Sequence, residues 1–98
     1  MLKELMTRLE ARPEECYFWA THGGAELDLL VVHGRTRSGF EIKRTTSPST
    51  TRSMHAAREA LRLDHLDVVH AGDETFPLRD DIRAVAFSRI AEAIHPLR

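Results

Sequence analysis

Two runs of alternating apolar and polar residues, 25–33 and 39–45, flank the glycine-led step Gly34-Arg35. Nothing else in the chain restricts its fold so tightly. Period-two alternation marks a half-buried β-strand, and two such runs joined by a short loop make an antiparallel hairpin. On the first strand Leu27, Leu29 and Val31 are expected on one face, with Glu26, Asp28 and Leu30 on the other. On the second, Phe40 and Ile42 share a face, and Glu41 and Lys43 share the opposite one. A two-residue turn at Gly34-Arg35 sets Asp28 across from Glu41 and Glu26 across from Lys43. A four-residue loop from Gly34 to Arg37 sets Asp28 across from Lys43 instead. In either register the four charged groups share one face, behind an apolar face that meets the core.

The remaining elements follow from periodicity and breakers. Leu2, Leu5, Met6 and Leu9 recur at helical spacing, which predicts a helix over 2–11 that stops before Pro13. Residues 16–21, CYFWAT, are short and aromatic, as a strand would be, and His22-Gly23-Gly24 is a turn. The polar loop TTSPSTT, residues 45–51, leads into a helix over 52–63 marked by Met54, Ala57 and Leu61. A strand over 66–71, a turn-rich GDETFPLRDD, a short strand over 84–87 and a final helical turn capped by Ser88 complete the chain. The order is αβββαβ with a strand and helix as a tail, in one domain spanning residues 1–98. The fold class is α/β, with a mixed central sheet flanked by helices. An αβββαβ chain of this length covers both faces of its sheet, so the charged face of the hairpin is expected to be partly sheltered.

Composition narrows the classes. Apolar residues make up 42% and charged residues 30%, which is a globular composition. No stretch is long and apolar enough to cross a bilayer, and the opening MLKELMTRLE lacks the apolar centre of a signal peptide. Cys16 is the one cysteine, so no disulfide framework forms and a cytoplasmic setting is expected. The net charge of −1 hides an uneven distribution. Residues 35–62 carry seven Lys or Arg against Glu41 and Glu59, while both flanks are acidic. A basic middle can steer a polyanion such as DNA to one face.

Sheltered carboxylates side by side are costly unless a cation or a proton is shared between them. Two carboxylates with a lysine in reach suit a hard divalent cation beside an activated water. The bland alternative is a hairpin laced with cross-strand ion pairs, worth about 0.2–1 kcal/mol each.

With E-L-D at 26–28 and E-I-K at 41–43 on the next strand, the chain resembles the PD-(D/E)xK nuclease superfamily. More narrowly, FWATHGGAELDLLVV, GFEIKRTTSPS and HLDVVHAGDETFPL resemble the nuclease-like domain that closes many prokaryotic AAA+-type ATPases. The likeness covers roughly residues 17–88. It implies a restriction-endonuclease-like fold and hydrolysis of phosphodiester bonds in DNA, or a relic of that activity. Asp28 and Glu41 would bind Mg²⁺ or Mn²⁺ with the backbone carbonyl of Ile42 as a third ligand. Lys43 would orient the attacking water or stabilise the developing charge. Arg44, Arg52, Arg58 and Arg62 would line the approach of a backbone phosphate.

The chain departs from the family pattern in its first helix, where superfamily nucleases add a glutamate. Glu4 is the candidate of suitable position and Glu10 a poor one. The chain has no phosphate loop of the form G-x-x-x-x-G-K-[ST], so an ATPase engine is expected on another part of a longer protein or on another subunit. The alternative function is a non-catalytic DNA- or protein-binding module of such an ATPase, with assembly into a homo-oligomer open to either reading.

The remaining chemistry-bearing residues read as structural. His33, His65 and His70 are expected at turns or strand ends with surface roles, and His22 as a turn residue near the motif strand. Cys16 is expected to pack. Trp19 and Phe18 are expected as core and sheet-edge residues.

Overall fold

The computed structural model describes all 98 residues. Helix α1 spans Leu2–Leu9 and ends at Glu10, whose left-handed backbone (φ 56°) returns its N–H to the carbonyls of Met6 and Thr7. A 3-10 turn at Pro13–Glu15 leads into β1 (Cys16–Ala20), β2 (Glu26–His33) and β3 (Thr36–Ile42). Helix α2 (Arg52–Leu61) follows, then β4 (His65–His70), β5 (Phe76–Arg79), β6 (Ile82–Ala86) and a closing short helix α3 (Ile90–Ala93).

The six strands form one mixed sheet in the order β1-β2-β3-β4-β6-β5. β1, β2 and β3 are antiparallel neighbours, β4 lies parallel to both β3 and β6, and β5 returns antiparallel along β6. This is the expected α/β class. Helix α2 covers one face, burying Met54 and Ala57 on Leu27, Leu30, Leu66, Val68 and Ile82. On the other face, Leu5 and Leu9 of α1 and Ile94 beyond α3 pack on Leu29, Val31, Phe40, Val69 and Val85.

Local chemistry explains the joints. The β2–β3 loop has two residues, and Gly34 takes φ 61°. A glycine at the first central position suits the hairpin turn whose twist matches the flanking strands. Thr51 caps α2 by accepting the Met54 amide at 3.2 Å. Gly39 sits where a Cβ would lie 2.6 Å from Leu63, so the chain leaving α2 closes tightly onto β3 at that point.

Three expectations are corrected. β3 begins at Thr36, three residues before the alternation at 39 becomes visible, because Thr36 and Arg37 pair with His33 and Val32 on the edge-exposed end of the hairpin. The turn-rich GDETFPLRDD contains β5, which tolerates Pro77 because it forms a sheet edge. Ser88 lies inside a 3-10 turn and caps nothing; α3 starts after Arg89 without a side-chain cap.

Candidate functional site

The site begins with an irregularity. Tyr17 pairs with Leu30 and Trp19 with Leu27, so Asp28 and Leu29 together oppose Phe18 alone. That β-bulge turns the chain by one residue. Leu27 therefore packs with Leu30 beneath α2, while Leu29 and Val31 face α1. The expected single apolar face of Leu27, Leu29 and Val31 is corrected, and with it the single charged face. A bulge re-aims a side chain at a strand end. Here that side chain is Asp28.

The two-residue turn gives the register in which Asp28 stands opposite Glu41, continuing the pairs from His33–Thr36 to Leu29–Phe40. Beyond Leu29, the Asp28 carboxylate takes over from the backbone: its Oδ2 accepts the Ile42 amide hydrogen at 2.8 Å. Glu41 is the buried partner, its side chain 8% exposed. Burial, and after it the negative charge of Asp28, pushes the Glu41 carboxyl up to about 7, with Lys43 pulling the other way. The Lys43 Nζ lies 3.9 Å from Glu41 Oε2 and stays 42% exposed. Lys43 reaches Glu41 two residues back along its own chain, not Glu26 on the neighbouring strand. Its own amide donates to Val69 at 2.9 Å, fixing the end of β3 against β4.

Asp28 opens onto a pocket walled by Leu2, Phe18, Ile42, Arg44 and Ala71. The structure thus brings together Asp28, Glu41, Lys43, the backbone of Ile42 and Arg44. Arg52 is the first residue of α2 and does not line that pocket. The Ser53 hydroxyl next to it bonds both the N–H (2.7 Å) and the carbonyl (2.9 Å) of Glu26, which pins the start of α2 two residues from Asp28.

Arg58 and Arg62 do not join the site. They lie six and ten residues further along α2, about 9 and 15 Å up its axis. Arg58 is ion-paired with Asp81, and Arg62 ends the helix in a left-handed conformation. Neither lines the pocket onto which Asp28 opens. Glu4 does not complete the pair of carboxylates either. It is 57% exposed, bound to the Met1 amino group at 2.8 Å and lowered by that contact. No group of three His, Cys, Asp or Glu side chains comes close enough to hold a metal ion.

The other candidates fall into structural roles. Cys16 packs against the α1-side core, and its burial raises the thiol. Trp19 packs on the α2 side, whereas Phe18 stands 67% exposed on the edge strand. His33 pairs with Glu15 at 2.6 Å. His70 corrects its surface expectation: it is 1% exposed, accepting the Gly72 amide at 3.0 Å and bonding the Glu74 carbonyl at 2.8 Å. Sequence reading missed Ser53 as a clamp and Phe18 as a wall of the pocket. A hydroxyl in the first turn of α2 was the available sign for the clamp.

Comparison with known proteins places the chain in a family. A profile described as a domain of unknown function, DUF4143, matches residues 1–90. The chain belongs to the DUF4143 family. It is 45% identical over 78 residues to the uncharacterised protein Rv2008c of Mycobacterium tuberculosis (strain H37Rv). It matches the uncharacterised protein Mb2031c of Mycobacterium bovis to the same extent. The matched region is 80% of this chain and 18% of each relative, so the DUF4143 chain spans about a fifth of the curated relatives it matches. No solved structure matches it. No helix of the domain is long and apolar enough to cross a membrane.

Proposed function

We propose that this DUF4143 domain is a metal-dependent nuclease-like domain that hydrolyses phosphodiester bonds in DNA, in the manner its resemblance to PD-(D/E)xK nucleases implies. One observation carries the reading. Two carboxylates from neighbouring strands converge at Asp28 and Glu41, and the buried one holds its proton to about pH 7. A structural ion pair would hold its carboxyl below the ordinary range; a raised carboxyl facing a second carboxylate is short of a cation.

The donors fit Mg²⁺ or Mn²⁺, since both carboxylates and the Ile42 carbonyl are hard oxygen ligands. A divalent ion held there would lower the pKa of a bound water and screen charge on a phosphate. The chain's own groups do the rest. Asp28 is fixed by the Ile42 amide, so its free oxygen keeps one direction. Lys43, partly exposed beside Glu41, orients a water or meets the charge that develops on phosphorus. Arg44, on the pocket wall, and Arg52, at the start of α2, engage flanking phosphates. The setting proposed is the cytoplasm, with an ATPase domain or subunit as partner.

A second reading follows from the exclusion of Glu4 from the site: a non-catalytic module docking DNA or a protein for an associated ATPase. The two separate in a plasmid-nicking assay with Mn²⁺. The enzyme reading expects slow nicking that Glu41→Ala and Lys43→Ala both abolish while the variants stay folded. Equal residual nicking by wild type and Lys43→Ala marks a contaminant and leaves the binding module.

A further inference from the structure

A second cleft, of about 670 Å³, lies where β3, β4 and β6 begin, beside Leu9 at the end of α1. It shares no lining residue with the pocket onto which Asp28 opens. Ser38 on its floor stands about 10 Å along β3 from Glu41. The chain around and beyond α3 roofs it through Ala93, Ile94, His95 and Leu97. That roof is strapped down. Arg8 donates to the carbonyls of Ala91 at 2.8 Å and Ile94 at 2.6 Å, and the Leu97 amide donates to Leu9 at 2.9 Å. A pre-formed cleft of this volume suits a small molecule.

The floor carries polar groups without partners. Ser38 neighbours His65 on the β3–β4 ladder, and Asp67 neighbours Arg83 on the β4–β6 ladder two residues further along. Ser38 is 3% exposed, yet its hydroxyl makes no hydrogen bond within the chain, and the access it keeps is to the cleft. Buried hydroxyls are normally paired. The His65 ring stands edge-on to Phe40, centroids 6.2 Å apart, with neither nitrogen bonded. Arg83 spends Nε and Nη2 on Asp67 and on the Ala93 carbonyl, which leaves Nη1 free.

Charge and shape decide the class of ligand. Arg83 is the one lysine or arginine lining the cleft, and Asp67 neutralises it. Asp81 is paired with Arg58, and Asp80, 63% exposed, adds a carboxylate at the mouth. An anionic ligand therefore finds no free counter-ion. The two bonds to Asp67 hold the guanidinium in one plane with 40% of the side chain exposed, a face on which a ring stacks. Phe76 and Pro77 add flat apolar walls. We propose that this cleft binds a planar, uncharged heteroaromatic molecule of nucleoside size. Its ring stacks on Arg83, and its polar edge bonds Ser38, His65 and the Arg83 Nη1. A hydroxyl and an imidazole each serve as donor or acceptor, so an edge carrying both kinds of group satisfies them.

Adenosine is the probe, because its base is planar and carries an amine donor beside ring-nitrogen acceptors. Adenosine monophosphate adds only the anionic group. Titration of the isotope-labelled chain at neutral pH, followed by NMR, is expected to shift the Ser38, His65 and Phe76 amides and the Arg83 Nε–H saturably. The expected dissociation constant is about 0.1–1 mM, ordinary for a ligand of this size. The monophosphate is expected to bind several-fold more weakly, since Asp80 repels it and no cation offsets that. Ser38→Ala is expected to weaken adenosine about three- to tenfold. Its melt without ligand should match wild type, because the hydroxyl bonds nothing in the chain. His65→Phe keeps the ring against Phe40, removes both nitrogens and is expected to weaken binding similarly. No saturable shift up to ~5 mM adenosine overturns the proposal. So do shifts that cluster around Asp28, a monophosphate that binds as tightly as adenosine, or wild-type affinity in Ser38→Ala. The titration needs neither metal nor DNA, so its outcome is independent of the nuclease reading.

Discussion

The Asp28 carboxylate accepts the Ile42 amide hydrogen at 2.8 Å, so one side chain closes a rung between β2 and β3 and holds its charge against Glu41. Two substitutions separate those duties. Asp28→Asn keeps an acceptor for Ile42 and removes the charge. At pH 8 without divalent ions it is expected to melt higher than wild type. Asp28→Ala leaves the amide without a partner and is expected to cost about 1–3 kcal/mol. Thermal melts in chelator read both. An Asp28→Asn variant that melts lower than wild type returns the pair to an ion-paired hairpin.

Mn²⁺ adds a second axis. A site with a dissociation constant near ~1 mM, held at ~10 mM ion, gains about 1.4 kcal/mol. On a domain of this size that is several degrees in Tm. Wild type is expected to show the rise and Asp28→Asn to lose it. A melt indifferent to Mn²⁺ removes the metal site.

The pH dependence has a definite sign. Glu41 is raised to about 7 from an ordinary 4.5, so between those values the folded state holds a proton that the unfolded state has lost. Its stabilising contribution is complete below 4.5 and is lost as pH rises through 7. In chelator, stability is expected to fall from pH 5 to pH 8 by about 1–3 kcal/mol from this group. Glu41→Gln should flatten that slope. Since a bound ion competes with the proton, Mn²⁺ should stabilise more at pH 8 than at pH 6. Denaturant titrations across this range check both; a slope that survives in Glu41→Gln assigns it elsewhere.

DNA binding should distinguish the arginines by position. Arg44 lines the pocket and Arg52 opens α2, whereas Arg58 is tied to Asp81. Replacing Arg44 and Arg52 with Ala is expected to reduce the log–log salt slope by about 0.9 for each lost phosphate contact. Arg58→Ala and Arg62→Ala should leave the slope unchanged. Fluorescence anisotropy at several salt concentrations measures it, and equal effects from all four would mean a diffuse field.

The pair Asp67–Arg83 tests the fold independently of the site. Asp67 is 2% exposed and receives Arg83 at two points, 3.1 and 2.9 Å. Arg83→Met strands a buried carboxylate and is expected to cost about 2–4 kcal/mol, below the fully buried range because Arg83 is 40% exposed. Adding Asp67→Asn should recover part of that loss. A double variant no more stable than Arg83→Met would show that Arg83 acts by packing alone.

Much of the candidate site was legible because hairpin geometry is local. Gly34-Arg35 and the alternation around it allowed few registers, and the two-residue turn is the one that faces Asp28 with Glu41. The bulge was not legible, since its existence depends on how β1 pairs with residues eight and thirteen positions away. The fate of Arg58 was not legible either: its partner, Asp81, is 23 residues distant and reached through β4 and β5. β5 was hidden by Pro77, which argues against a central strand and is silent about an edge.

What the sequence by itself determined was what neighbouring residues can decide. The apolar spacing of α1 and its stop at Glu10 before Pro13, the Thr51 cap of α2 and the Gly34 turn all follow from contacts within a few residues. The tertiary structure alone decided which residues face each core, which arginines remain available and how far the Glu41 proton is held up. The reason is physical. Backbone preference acts over one turn or one rung, whereas desolvation and charge–charge energy depend on which distant segments close around a group.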